Sequence, residues 1–144
     1  MTKYIIDTHA LVFFLSDETK LKPEQRKALK ELNSEYFVLT KVFEEIRKKF
    51  EKFKKDNSNK GAIKIPPMIV WRIAKTCRNV IIKNLGNAHI VEWMKIKPEL
   101  RKIKLDDLPF VVLQLILQKE YPKTEVRIIT NDDILRKHPL TRTI

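Results

Sequence analysis

Acidic side chains stand at four places in this chain where a carboxylate could take part in chemistry. Asp7 closes the apolar run Tyr4-Ile5-Ile6 and is followed by Thr8-His9-Ala10-Leu11. Glu44 and Glu45 open a helical segment just after Tyr36-Phe37-Val38-Leu39-Thr40. Asp106 and Asp107 precede the apolar stretch Phe110–Leu117, while Asp132 and Asp133 follow Val126-Arg127-Ile128-Ile129-Thr130-Asn131. A strand that stops on a carboxylate delivers it to the carboxyl edge of a sheet, where open α/β folds keep their ligands. Four such groups at one edge repel one another unless a divalent cation lies between them. The pattern predicts metal-dependent catalysis.

The elements that must position these acids can be read from hydrophobic periodicity. Tyr4–Ile6 reads as a short buried strand, with a helix over Ala10–Leu15 close behind. Pro23–Leu32 is an amphipathic helix with Pro23 in its first turn and Ala28, Leu29 and Leu32 along its stripe. Tyr36–Thr40 is the second strand. A helix from about Val42 to Lys54 follows, with Val42, Phe43, Ile46, Phe50 and Phe53 on one face. Asp56–Gly61 is a loop by composition. After Pro66-Pro67 a helix is expected from Met68 towards Leu85, stopped by Gly86-Asn87, with a third strand over His89–Trp93. Pro98–Leu105 has little pattern beyond one helical turn. Leu108–Glu120 is a helix apolar nearly all round and therefore buried. Val126–Thr130 is the last full strand, and Pro139–Ile144 is expected to add a short edge strand. Strands alternating with helices imply a mostly parallel sheet covered on both faces, with right-handed crossovers that bring the strand carboxyl ends to one edge.

Helix phase separates the glutamates. At about 100° per residue, with the apolar face centred near Ile46, Glu45 falls roughly 110° from that centre and Glu44 roughly 150°. Glu45 therefore borders the buried stripe and is the better candidate. Two glutamates complementing a helix amino terminus are the competing explanation. Asp106 and Asp107 are separated by less: either can cap the helix that Pro109 helps to start, and Asp107, one turn before Val111, is favoured narrowly. Asp132 follows the strand directly, whereas Asp133 begins the next helix.

Bulk composition bounds the class. At 144 residues the chain has the length of one domain, 1–144, with 43% hydrophobic and 33% charged residues. That describes a folded globular protein rather than a disordered one. Thirty Lys and Arg against 18 Asp and Glu give a net charge of +12. So basic a protein attracts polyanions, nucleic acid first among them, although a lysine-rich, heat-adapted surface would show the same excess. Cys77 is the single cysteine, which excludes an intramolecular disulfide and a cysteine metal cage, and its apolar surroundings suggest a core position. The opening residues do not form a signal peptide and no run is long enough to span a bilayer, so the expectation is a cytoplasmic protein with no membrane partner.

The order and setting of these residues resemble the PIN-domain nucleases, in particular the small VapC-type toxins of toxin–antitoxin pairs. The resemblance covers essentially the whole chain. It rests on Ile5-Ile6-Asp7-Thr8-His9-Ala10-Leu11, on Phe43-Glu44-Glu45-Ile46 and on Ile128-Ile129-Thr130-Asn131-Asp132. It implies a PIN-like three-layer α/β/α sandwich with a mostly parallel central sheet. The family's four acids fall on Asp7, Glu45, Asp106 or Asp107, and Asp132, with Thr130 as the accompanying hydroxyl. The implied activity is cleavage of RNA phosphodiesters with Mg²⁺ or Mn²⁺. Asp7 and Asp132 would bind metal directly, while Glu45 and the Asp106/Asp107 pair would hold a second ion or orient metal-bound water. Thr8 and Thr130 would steady water or a ligand carboxylate, with Asp133 in a supporting place. The resemblance also implies an antitoxin partner and homodimer formation. Two departures stand out: Phe110-Val111-Val112-Leu113 is bulkier than the family's usual small residues, and little chain remains after Asp132 for a fifth strand.

Substrate RNA must be gripped outside the acids. Arg47 and Lys48 on the basic stretch Arg47–Lys55, together with Arg72, Lys75 and Arg78, could track a phosphate backbone, although any one of them also suits a solvated face. His9 reads as structural beside a helix start. A phosphatase that uses a paired Asp would need an acid where His9 stands, and a receiver domain would need adjacent acids near the first strand. The strongest competitor is a non-catalytic member of the same fold that binds RNA or protein and uses its acids as caps; a housekeeping RNA-processing nuclease is the other.

Overall fold

The computed structural model describes residues 1–56 and 65–144. Among them, β1 (Thr2–Ile6), β2 (Glu35–Leu39), β3 (Val80–Lys83) and β4 (Glu125–Ile129) form one all-parallel sheet in the order β3-β2-β1-β4. The helices are α1 (Thr8–Ser16), α2 (Pro23–Leu29), α3 (Thr40–Asp56), α4 (Pro67–Thr76), α5 (Asn87–Ile96), α6 (Leu108–Glu120) and α7 (Asp133–Lys137). Short 3-10 turns lie at Glu18–Lys20 and Pro98–Lys102.

A parallel sheet buried on both faces needs apolar residues at successive positions, and β1 and β2 supply them without alternation. Tyr4 and Tyr36 are register partners on neighbouring strands, and their rings stack 5.7 Å apart. The Tyr36 hydroxyl donates to the Ala28 carbonyl at 2.6 Å and the Tyr4 hydroxyl to Glu31 at 3.0 Å, which ties the end of α2 to this face. On the same face Ile6 and Val38 meet Leu11 of α1, Leu29 of α2, and Val70 and Ala74 of α4 around a small apolar cavity of about 250 Å³. The opposite face carries α6, packed on β1 and β4.

The unbroken apolar character of α6 has a simple cause: the helix lies between two cores. Phe110, Leu113 and Leu117 join the sheet core, while Leu108, Val111, Val112 and Leu115 join a second cluster with Leu100, Ile103 and Leu135. Helix α3 turns Val42 and Ile46, both fully buried, to the main core, a contribution of about 2 kcal/mol each. Its Phe43 meets Trp71 of α4 edge-on at 4.8 Å.

Four sequence expectations are corrected. The helix expected to run from Met68 to Leu85 ends at Thr76, and the third strand is Val80–Lys83 inside that span. His89–Trp93 is the middle of α5, not a strand, because Ile90, Trp93 and Met94 sit at helical spacing and pack together on the second cluster. Helix α2 stops at Leu29, which leaves Leu32 93% exposed instead of on its apolar stripe. Cys77 caps the end of α4 and is exposed, so it is not a core residue. The tail makes a single parallel bridge, Thr143 to Ile128, beside β4. Two fully buried glutamines hold that tail: Gln25 Nε2 donates to the Thr130 and Ile144 carbonyls, and Gln114 Nε2 to those of Val126 and Arg142. Residues 57–61 of the expected loop lie outside the described residues. Among the described residues no helix is long and apolar enough to cross a membrane.

Candidate active site

Because β2, β1 and β4 are neighbours, whatever follows their carboxyl ends converges. A cleft of about 590 Å³ opens there, lined by Asp7, Thr8, Glu45, Asp106, Asp107 and Asp132, with His9, Phe13, Lys48, Lys49, Phe110, Asn131 and Leu135 around them. The structure thus brings together one carboxylate or more from each of the four acidic settings. Glu44 and Asp133 lie outside: Glu44 is exposed and pairs with Arg47 at 3.0 Å, and Asp133 is exposed in the first turn of α7.

Asp7 is fixed twice. Its backbone N–H continues the sheet by donating to the Ile129 carbonyl at 3.2 Å, and its Oδ1 caps α1 by accepting from Ala10 N at 2.8 Å. The nearby Thr130 hydroxyl favours its charged form as well. Burial outweighs these stabilising influences, and the nearby charges of Asp132 and Glu45 add to it, so the Asp7 carboxyl is pushed up to about 6. Thr130, fully buried, accepts from Asp132 N at 3.0 Å and so fixes the turn that carries Asp132. Asp132 caps α7 in turn, its Oδ1 accepting from Ile134 N and Leu135 N at 2.8 and 3.2 Å.

Glu45 projects from α3 towards α1. Its Oε2 accepts from Thr8 Oγ1 at 2.5 Å, and its Oε1 lies 3.0 Å from Lys41 Nζ, one helical turn earlier. Lys41 also donates to the Asp106 carbonyl and lies over the Phe110 ring, 5.1 Å from its centroid. Asp107 stands at the start of α6 without a side-chain capping bond, and is raised by burial first and by the Asp132 charge next. Asp106, beside it, is exposed.

Hard oxygen donors in an electrostatically strained cleft fit a divalent cation, and a cation would relieve the burial and repulsion that raise Asp7 and Asp107. Asn131 lines the same cleft, and its Oδ1 is shielded from water with no hydrogen-bond partner among the described residues. The acids are spread around the cleft rather than closed into a cage, since among the described residues no three such side chains form a ready metal-holding group. Mg²⁺ tolerates that, because it keeps several waters and binds through one or two carboxylates.

Of the basic residues picked out from sequence, Lys48 lines the cleft. Arg47 points away, held between Glu44 and Glu51 at 3.0 and 3.1 Å, and Arg72, Lys75 and Arg78 lie exposed on or just after α4, outside the cleft lining. Lys49, another lysine of the basic stretch expected to track a phosphate backbone, lines the cleft too, whereas Lys41 was passed over. Both are four residues from Glu45 on the same helix, so their shared stripe with Glu45 was readable from spacing alone. His9, read as structural, is exposed on the cleft wall with Nε2 3.2 Å from Lys49 Nζ. An ammonium can only donate, so this ring nitrogen accepts; burial first and the Lys49 charge next hold His9 below its ordinary value.

The layering, the parallel sheet and the acids along its carboxyl edge define the class of fold as a PIN-like three-layer α/β/α sandwich. No protein-family model matches the chain, and no curated protein matches it in sequence. Among solved structures it is similar to a chain in the crystal structure of VapBC2 from Rickettsia felis bound to a DNA fragment from their promoter. The match has a TM-score of 0.60 at 15% identity and covers 99% of this chain and 98% of the other. At that identity the likeness is one of fold.

Proposed function

We propose that this protein is a cytoplasmic, metal-dependent endoribonuclease and the toxin of a type II toxin–antitoxin pair. The observation that carries the reading is the meeting of Asp7, Glu45, Asp107 and Asp132, from four separate parts of the chain, in one cleft beside Lys48 and Lys49. Asp7 and Asp132 would hold a Mg²⁺ or Mn²⁺ ion, with Asp107, Asp106 and Glu45 lining the same cleft. When bound, such an ion lowers the pKa of its water and neutralises charge on a phosphodiester. The chain's own groups do the rest. Lys48 and Lys49 draw the RNA backbone to the cleft, Thr130 holds the turn that carries Asp132, and Thr8 orients Glu45.

The fold shared with a chain of a VapBC complex supports an antitoxin partner, and Met68, Ile69 and Ile73 on α4 offer exposed apolar surface to such a partner or to a second copy. The open spacing of the acids favours one rival, a non-catalytic RNA- or protein-binding module. Purified protein incubated with single-stranded RNA distinguishes them. Cleavage with Mg²⁺ or Mn²⁺ that stops in EDTA is expected; no cleavage over a panel of RNAs and both metals would leave the binding module. Growth arrest on expression, relieved by a co-expressed partner, separates a toxin from a housekeeping nuclease.

A further inference from the structure

The cleft wall carries an aromatic pair that metal chemistry does not use. His9 and Phe13 lie one helical turn apart on α1, so their side chains leave the same face of the helix, and both line the cleft beside the acids. Their ring centroids are 6.0 Å apart with the planes inclined at 37°, within the range of aromatic contact. Phe13 is half-buried against the sheet core and has the Lys20 ammonium 5.4 Å from its centroid, so it backs the pair. His9 is the exposed member. Its Nε2 accepts from Lys49 Nζ at 3.2 Å, and a ring nitrogen that accepts has no proton to offer a phosphate oxygen. The flat face of the ring is left for other contacts, directly beside an ammonium suited to phosphate. A π surface next to a cation matches the two halves of a nucleotide, base and phosphate.

We propose that His9, backed by Phe13, is a stacking platform for one unpaired nucleobase of the RNA strand whose backbone Lys49 attracts. The inference rests on the reading above that the cleft takes RNA, and it narrows the substrate to single-stranded segments whose bases can splay out, since a duplex keeps its base faces covered. His9 is then a binding residue. Stacking holds the strand equally before and during the reaction, so it acts on KM and leaves kcat alone. A histidine that merely pairs with Lys49 on a solvated helix face would be indifferent to whether the strand carries bases.

That difference is the test. Binding of a short labelled oligouridylate, and of the same backbone built with stable abasic residues, is followed by fluorescence anisotropy in EDTA for wild type, His9→Ala and His9→Phe. Wild type should prefer the strand with bases. His9→Ala should weaken that strand roughly tenfold and leave the abasic one unchanged, and His9→Phe, which restores an aromatic face, should recover most of the loss. With Mg²⁺, His9→Ala should raise KM by a similar factor and keep kcat within about twofold. Equal weakening of both strands, no weakening of either, or a wild type blind to the bases would overturn the proposal and spare the RNA reading. No binding of either strand by wild type would take the RNA reading down with it. Should His9→Ala not fold, His9→Gln takes its place, since it keeps an acceptor for Lys49 and has no aromatic face.

Discussion

Replacing Asp7 by Asn in the metal-free protein isolates the electrostatic cost of building this cleft. Asn keeps the size of the side chain and an oxygen for Ala10 N, but removes a buried charge that faces Asp132 and Glu45. The Asp7 carboxyl sits at about 6 in the fold against an ordinary 3.8. A gap of about two pH units corresponds to about 3 kcal/mol. The folded value is the higher one, so the native state holds the extra proton between the two. Wild-type stability therefore falls as pH rises from about 4 through 6 and then stays level. In EDTA at pH 8, Asp7→Asn should be the more stable protein by about 3 kcal/mol, or about 10 °C in melting temperature. At pH 4 the advantage should fall to near zero. Mg²⁺ at about 100 times its Kd should raise wild type by about 2.7 kcal/mol and close the gap from the other side. Urea unfolding followed by circular dichroism, at pH 4, 6 and 8 with and without Mg²⁺, gives all these comparisons. A variant no more stable than wild type at pH 8, or an advantage unchanged by acid, would refute the reasoning.

Other outcomes follow from the placement of single residues. Glu45→Gln should lower RNA cleavage at least tenfold while Glu44→Gln leaves it within twofold, because Glu45 lines the cleft and Glu44 faces solvent beside Arg47 (order-of-magnitude expectations from the effect of removing one positioned charge). Equal losses in initial rate would mean that the cleft is not where cleavage occurs. Lys48→Gln with Lys49→Gln should reduce the slope of log affinity against log salt by roughly 1.4 for single-stranded RNA. The triple variant Arg72→Gln, Lys75→Gln, Arg78→Gln should keep the wild-type slope, since those residues lie away from the cleft; the reverse result in a fluorescence-anisotropy titration would move the RNA path to α4.

The parts of the fold that can be read from sequence are those where burial leaves a plain pattern. β1, β2 and β4 are apolar runs that end near a polar residue, and α6 is apolar because it has a core on either side. β3 hides from the same reading. Val80-Ile81-Ile82-Lys83 has only four residues, all partly exposed at the sheet edge, and neither Gly nor Pro separates it from α4. Its apolar residues therefore look like a continuation of the helix. α5 is mistaken for a strand because His89-Ile90-Val91-Glu92-Trp93 is short, and Val91, 48% exposed, fills the gap in a helical stripe. In the cleft, the acids are visible because strand ends announce them. Lys41 and Asn131 are not, since a lysine or asparagine on a basic surface carries no local mark; only the fold brings the Lys41 ammonium to the Asp106 carbonyl and the Phe110 ring.

The double duty of Asp7 and Asp132 has a bearing on how this cleft could change over generations. Each carries a charge of the site and also starts a helix, α1 and α7, through a hydrogen bond that Ala, Val or Leu could not make. Glutamate would preserve the charge, but its extra methylene carries the carboxylate past the backbone N–H it must reach. Asparagine would preserve the cap and lose the charge. The mutational neighbourhood of these two positions is therefore narrow, and it leans one way: the step that best preserves folding is the step that removes ionic character. A lineage released from selection for chemistry could drift readily into a well-folded, inert binding protein, whereas the return journey needs the acid restored at each cap.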